Sequence, residues 1–457
     1  DNVTAAKISN NEDFTINSIT VGKGANAVSG NTVLGESALD ASVSGGSNTA
    51  IGKESLTANT SGSHNTGIGV SALAVNTTGA TNVAVGNFVL DANTTASNNT
   101  GVGYAALTAN TTGSSNTAVG KDSLKTNTTG SSNAALGENS LELNTTGSSN
   151  TGIGKDALRA NTTANDNTAV GHEALELTST GAQNTIVGSG AGRSNTTADN
   201  NTGMGYYALR SNTTGTFGVA VGANALDANT TGNRNTAVGS DALGSVQTGA
   251  TNTAVGSDAL KLNTASDNTA IGGFALAANT SGTRNVAVGI QALEANTTAD
   301  DNTALGRQAL KTNTTGANNT AIGKSALTDN TTASNNTAVG FNCLLANTTG
   351  HSNVAVGAIA LDANTEGERN TSLGYASLTD NTTGDKNTAV GMSALENNTT
   401  ADHNTAVGNN CLVANTTGTQ NTAVGSLALD ANTTANSNVA VGYATLGANT
   451  TGADNTA

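Results

Sequence analysis

From Gly35 to Gly442 a glycine preceded by an aliphatic residue returns every seventeenth residue, with one exception, the sixteen-residue interval from Gly256 to Gly272. The unit reads Asn-Thr-Ala-Val-Gly-x-x-Ala-Leu-x-x-Asn-Thr-Thr-Gly-x-x and accounts for nearly all of the chain. A period of this size belongs to stacked repeats, in which one unit cannot bury its own apolar face and leans on its neighbours. The reading is an all-β parallel β-solenoid of about 25 turns of 17 residues, with residues 1–30 as an N-terminal cap or connecting segment and 31–457 as the repeat shaft.

Composition has to be weighed against this. Aromatic residues are 2 % of 457, and Pro and Trp are absent. Such low complexity is also the signature of disorder, because few large apolar groups offset chain entropy. The period decides for order: Leu34, Ile51, Ile68, Val85 and Val102 begin an aliphatic series that stays in phase through Val441. A net charge of −15 offers no basic stripe for a phosphate backbone, so nucleic acid is not an expected partner. No run approaches the ~20 apolar residues of a membrane span, so membrane insertion is not expected either. The chain begins at Asp1 without Met and stops three residues into a further repeat, which reads as a processed or partial chain.

Numbering each turn from its first Asn makes Asn31 position one and Gly35 position five. Positions two and four share one face of a short strand, since strand side chains alternate. Position four is always Val, Ile, Leu or Met, and is expected to supply the core together with the Leu of position nine on a second short strand. Position three is small, as at Ala50 and Gly67, and position eight is mostly Ala or Ser. Those small faces are the expected meeting surface of several copies around an axis, most simply a homotrimer. On this reading Val339→Asp collapses cooperative melting and Lys125→Asp barely shifts it. The Asn residues of positions one and twelve are expected to stack into amide ladders and to suit left-handed corners. Position five needs Gly for positive φ or for want of room for a Cβ.

No catalytic, cofactor-binding or metal site is expected. Cys343 and Cys411 lie 68 residues, four turns, apart, or ~19 Å at the strand spacing, too far for a disulfide. His64, His172, His351 and His403 are too dispersed for a zinc set or a Cys–His dyad. Gly188-Ser189-Gly190-Ala191-Gly192, where the Leu of position nine is lost, reads as a local bulge or kink rather than a phosphate cradle. The many Asn-Thr-Thr sequons read as structure, not glycosylation. Ranks of Thr raise ice binding, against which stands the Val found at position two in an apparently inward slot. Aromatics at positions six and seven, Tyr104, Tyr206, Tyr207, Phe88, Phe274, Phe341, Tyr375 and Tyr443, are scattered, with Tyr206–Tyr207 the one adjacent pair that could stack on a sugar.

The string Asn-Thr-Ala-Val-Gly-x-x-Ala-Leu-x-x-Asn-Thr-Thr-Gly resembles the shaft repeats of bacteriophage tail fibres. More loosely it is similar to the β-roll heads of trimeric autotransporter adhesins. Ile19-Thr20-Val21-Gly22-Lys23-Gly24, leading into Asn31-Thr32-Val33-Leu34-Gly35, also resembles the way such fibre repeats begin. The resemblance implies parallel β-rolls wound as homotrimers, extracellular, on a virion tail fibre or a cell surface. It further implies contact with a host glycan or receptor through a tip domain outside this chain. The functional expectation is thus a non-enzymatic structural shaft of tail-fibre type, with a bacterial adhesin or extracellular filament as the alternative and an ice-binding solenoid behind both.

Overall fold

The structure, a computed structural model, describes residues 13–41 and 43–457. Residues 1–12 of the expected cap lie outside the described residues. What is described of the cap is a hairpin, β1 (Phe14–Ile16) and β2 (Ile19–Gly22), antiparallel with Phe14 opposite Val21. The β2 strand pairs antiparallel with the first repeat strand, β3 (Thr32–Gly35), placing Val21 opposite Leu34. Within each of the two compact units, from β3 onward, the repeat strands pair in parallel and join equivalent positions of successive turns, such as Thr49 with Thr66 and Ile51 with Ile68. The described residues form all-β stacked coils with almost no helix, a β-solenoid.

Two compact units divide between Thr231 and Gly232. In the first, repeat strands run from β3 to Val219–Val221; in the second, from Thr236–Val238 to Val439–Val441. Each is only about three residues long, because the glycine of position five ends it. That glycine has φ between +125° and +146° from Gly52 to Gly442, a region L side chains rarely enter. A Cβ there would also collide with the next coil: on Gly120 it would lie 2.4 Å from the Gly137 carbonyl oxygen. Both expected reasons for glycine therefore operate together.

The inward side of the strand is the reverse of the one expected. Position three points into the coil, and Ala50, Ala84, Ala118, Ala338 and Ala406 are fully buried. Positions two and four point outward; Leu136 is 50 % and Met204 54 % exposed. The small residue is small because it meets the interior of its own coil, not a second chain. A Cβ on Gly101 would lie 2.5 Å from Val89 Cγ1, and one on Gly67 2.5 Å from Ser55 Oγ. Positions three and eight are thus interior, and the expected meeting face of copies is not there.

The expected second strand is also absent. Positions six to eleven form turns in which residues at positions seven and nine take φ near +50 to +60°, as at Glu54, Leu56, Asp122 and Leu124. These turns still stack: Leu56 N–H donates to Ala72 O at 3.0 Å and Ala58 N–H to Ala74 O at 3.0 Å. The left-handed conformation costs a leucine about 1–2 kcal/mol, and its full burial returns roughly 2–3 kcal/mol. The regular coil therefore buries one large aliphatic, not two, and only coils with Val33, Val43, Val89 or Val246 add to it.

Polar ladders supply what so thin an apolar core lacks. At position twelve, Asn76 Nδ2 donates to Asn59 Oδ1 at 3.0 Å, and Asn93 Nδ2 to Asn76 Oδ1 at 2.8 Å. Position one forms a different ladder: Asn48 Oδ1 accepts from the backbone N–H of Asn65 at 2.9 Å. The two meet on the carbonyl of position fifteen, where Gly79 O accepts from Asn65 at 2.8 Å and from Asn76 at 3.0 Å. Neither asparagine is left-handed; positions seven, nine and seventeen carry the positive φ instead. These asparagines are buried with their amide nitrogens engaged, so the Asn-Thr-Thr sequons are part of the core.

Departures from the repeat are absorbed locally. Across Gly188–Gly192 there is no bulge or kink, since Thr185–Val187 keeps its register with both neighbouring strands. Instead Ile186 occupies position three, fully buried, in the space vacated at Gly192. Gly203 above it has no room for a Cβ, which would lie 2.8 Å from Ile186 Cδ1. The sixteen-residue turn loses one corner residue while Thr253 still pairs with Thr269. Ala265 O then accepts from Asn252 and Asn263, both at 2.8 Å.

Candidate interaction surfaces

The outward strand face recurs on the repeat strands of both units. Positions two and four carry Thr, Val, Ile, Leu, Met and one Ala, and no charged residue in any turn. Within the first unit the apolar rank includes exposed Leu34, Leu136, Ile153 and Met204; within the second, Val238, Ile271, Leu305, Ile322 and Val356. The hairpin is not a repeat, yet it prolongs the rank. Val21, 45 % exposed, lies opposite Leu34, and Phe14, also exposed, lies opposite Val21. Position two is outward as well, so the Val residues there occupy no inward slot and the objection they raised to a Thr-bearing surface falls.

Charges occupy the turns and pair along the stack, one coil to the next. Arg284 grips Asp301 with Nε–Oδ1 at 2.7 Å and Nη2–Oδ2 at 3.0 Å, and Lys53 reaches Glu36 at 3.7 Å. The Arg284 pairing holds the Asp301 carboxyl below its ordinary range, but both groups are exposed and such pairs contribute little. Acidic and amide side chains at position sixteen cap backbone N–H groups of the preceding coil, as Asp300 does for Thr283 at 2.6 Å and Asp385 for Glu368 at 2.7 Å.

The residues singled out for chemistry are placed as follows. Cys343 and Cys411 are buried free thiols whose Sγ atoms donate to Ala355 O and Ala423 O at 3.2 Å. Ser55 Oγ does the same to Gly67 O at 2.9 Å, so cysteine stands in for serine. Burial pushes the thiols up to about 12 and about 11 respectively. His64, His172 and His403 are exposed on turns, and His351 pairs with Glu368 at 2.7 Å. Among the described residues no group of three or more His, Cys, Asp or Glu side chains gathers around a common point. Among the described residues no helix is long and apolar enough to cross a membrane.

Among the aromatics, Phe88 and Tyr104 meet edge to face at 6.0 Å across adjacent turns, and Lys324 lies 5.3 Å from the Phe341 ring. Tyr206 and Tyr207 stack with centroids 3.8 Å apart, and Arg210 lies 4.4 Å from the Tyr207 ring. The sequence had pointed to that pair. It did not show that Tyr207 rests on Gly190, where a Cβ would come within 2.4 Å of its ring, although the glycine exactly one turn earlier was the available sign. Compared with protein-family models and with curated proteins, the chain matches none.

Proposed function

We propose that this chain is the shaft segment of a structural fibre, mechanical rather than catalytic, that associates lengthwise with further copies of itself. The observation that carries the reading is the uncharged, apolar outward rank repeated on every strand and extended by the hairpin. A fully exposed aliphatic side chain offers roughly 100 Å². At the exposures seen, position four alone leaves on the order of 500 Å² uncovered in each unit, the scale at which exposed patches mark association sites. A second copy is the natural occupant, because its rungs recur at the same ~4.8 Å interval and can match the rank side chain for side chain.

Three copies around an axis, each turning this face inward, is the arrangement we propose. It agrees with the resemblance to tail-fibre shafts, and we place the chain outside the cell, on a virion tail fibre, with a cell-surface adhesin or extracellular filament as the alternative. Host receptor or glycan contact through a tip beyond this chain belongs to the same proposal. The mass of the native particle tests it: three chains support the reading, and a monomer at micromolar concentration removes it. Ice binding is the second reading, favoured by the outward Thr of position two. The unequal lengths of Val, Ile, Leu and Met beside it roughen the lattice an ice face would need, and a thermal-hysteresis assay on the same sample separates the two.

A further inference from the structure

Two successive turns combine three departures from the repeat. Gly190 removes the side chain at position seven, Tyr207 supplies an aromatic at position seven one turn later, and Tyr206 adds a second beside it. These are physically linked, because the Tyr207 ring occupies the space a Cβ on Gly190 would need. So seated, Tyr207 has Arg210 4.4 Å from its ring centre and Tyr206 stacked at 3.8 Å. Tyr206 is left 52 % exposed. At position six the turns on either side carry only Ser189 and Ala223, so the plate is flanked by small residues. The Tyr207 ring against it distinguishes Tyr206 from Tyr375, comparably exposed but without a ring partner among the described residues.

Planar polar groups lie one and two turns away. Arg193 Nε donates to Glu176 Oε2 at 2.7 Å and lies 3.2 Å from Glu173 Oε2, while Arg159 holds the other oxygen of Glu176 at 3.1 Å. The ion pairs tie Arg193 and Glu173 to one another on the turns that precede the aromatic pair, and both side chains remain partly exposed. A sugar ring has this pair of requirements. Its axial C–H face is apolar and slightly positive, and suits the negative face of an aromatic ring; its equatorial hydroxyls suit a guanidinium and a carboxylate.

We propose that Tyr206, backed by Tyr207 on Gly190, with Arg193 one turn and Glu173 two turns earlier along the stack, is a binding platform on the shaft itself for a hexopyranose ring. The platform is independent of the self-association face, which lies on the strand rather than the turn. One plate and a few solvent-exposed hydrogen bonds correspond to a dissociation constant on the order of 1 mM.

Saturation-transfer NMR on the full chain tests this with lactose, maltose, cellobiose, N,N′-diacetylchitobiose and sialyllactose as probes. The expected result is transfer to ring protons of at least one sugar, lost in Tyr206→Ala and retained in Tyr375→Ala. Gly190→Ala, which unseats Tyr207, is expected to weaken binding roughly tenfold, about 1.4 kcal/mol, while the far-ultraviolet circular dichroism is unchanged. Transfer to none of the five sugars overturns the proposal. So does binding that survives Tyr206→Ala, or that Tyr375→Ala reduces equally. A response to sialyllactose with none to lactose also overturns it, because sialic acid is not a hexopyranose.

Discussion

At the scale of single residues, the coil is held by groups that cannot be exchanged for near relatives. Gly120→Ala would place a methyl against a neighbouring carbonyl and force an alanine to φ +139°. We expect a loss of at least about 3 kcal/mol in a denaturant titration, and a midpoint within error of wild type would refute the packing. The asparagine ladder permits the opposite experiment. Thr178 interrupts position twelve, and Asn161 Oδ1 below it is buried without a hydrogen-bond partner. Thr178→Asn restores a donor there and should raise stability by about 1 kcal/mol. Chemical reactivity offers a third check. Because burial raises both thiols, Cys343 and Cys411 should be inert to a thiol reagent at pH 8 in the folded chain and react after denaturation; rapid labelling of native protein would contradict their place in the core.

Within one coil, the strand's two faces have unequal roles. Ala338 is interior and Val339, next to it, is outward. An aspartate at position 338 would bury a carboxylate without a partner, and Ala338→Asp is expected to abolish cooperative melting at a cost above roughly 3 kcal/mol. Val339→Asp, which an inward valine would make an unfolding substitution, should leave the coil's circular dichroism intact and weaken association instead. Lys125→Asp removes the 3.1 Å partner of the buried Asp122 carboxylate and sets a like charge beside it, so it should cost about 1–3 kcal/mol rather than barely shift melting, while leaving the transition cooperative. If Val339→Asp unfolds an isolated, dilute chain as thoroughly as Ala338→Asp does, the assignment of faces is wrong.

For the molecule as a whole, each unit is stabilised rung by rung, and the outward rank of each remains to be covered. Association that covers it stabilises the folded state by mass action, so the melting temperature should rise with protein concentration. A melting temperature independent of concentration over a hundredfold range, together with a monomeric mass, would leave the apolar rank without the occupant proposed for it. Paired substitutions such as Met204→Asp with Leu305→Asp should lower the apparent mass of the particle while sparing the far-ultraviolet spectrum of both units.

The seventeen-residue beat, the glycine at each strand end, the buried thiols and the polar, charge-bearing turns could all be read from the chain, because each repeats in phase or follows from the properties of one residue type. The direction of the strand's faces could not. Alternation places Thr and Val together on one side and Ala on the other, but it is symmetric between inside and outside, and hydrophobicity alone favours putting the valine within. What decided it was the size of the coil. A turn this narrow, already filled by the Leu of position nine and two asparagine amides, has room at position three for alanine, glycine or serine in nearly every coil; Val33 is the exception in the first coil, and Ile186 is admitted where Gly192 gives up a side chain. The larger aliphatics are left outside, and the surface by which the chain would meet its own kind is therefore a consequence of three-dimensional packing that no one-dimensional pattern contains.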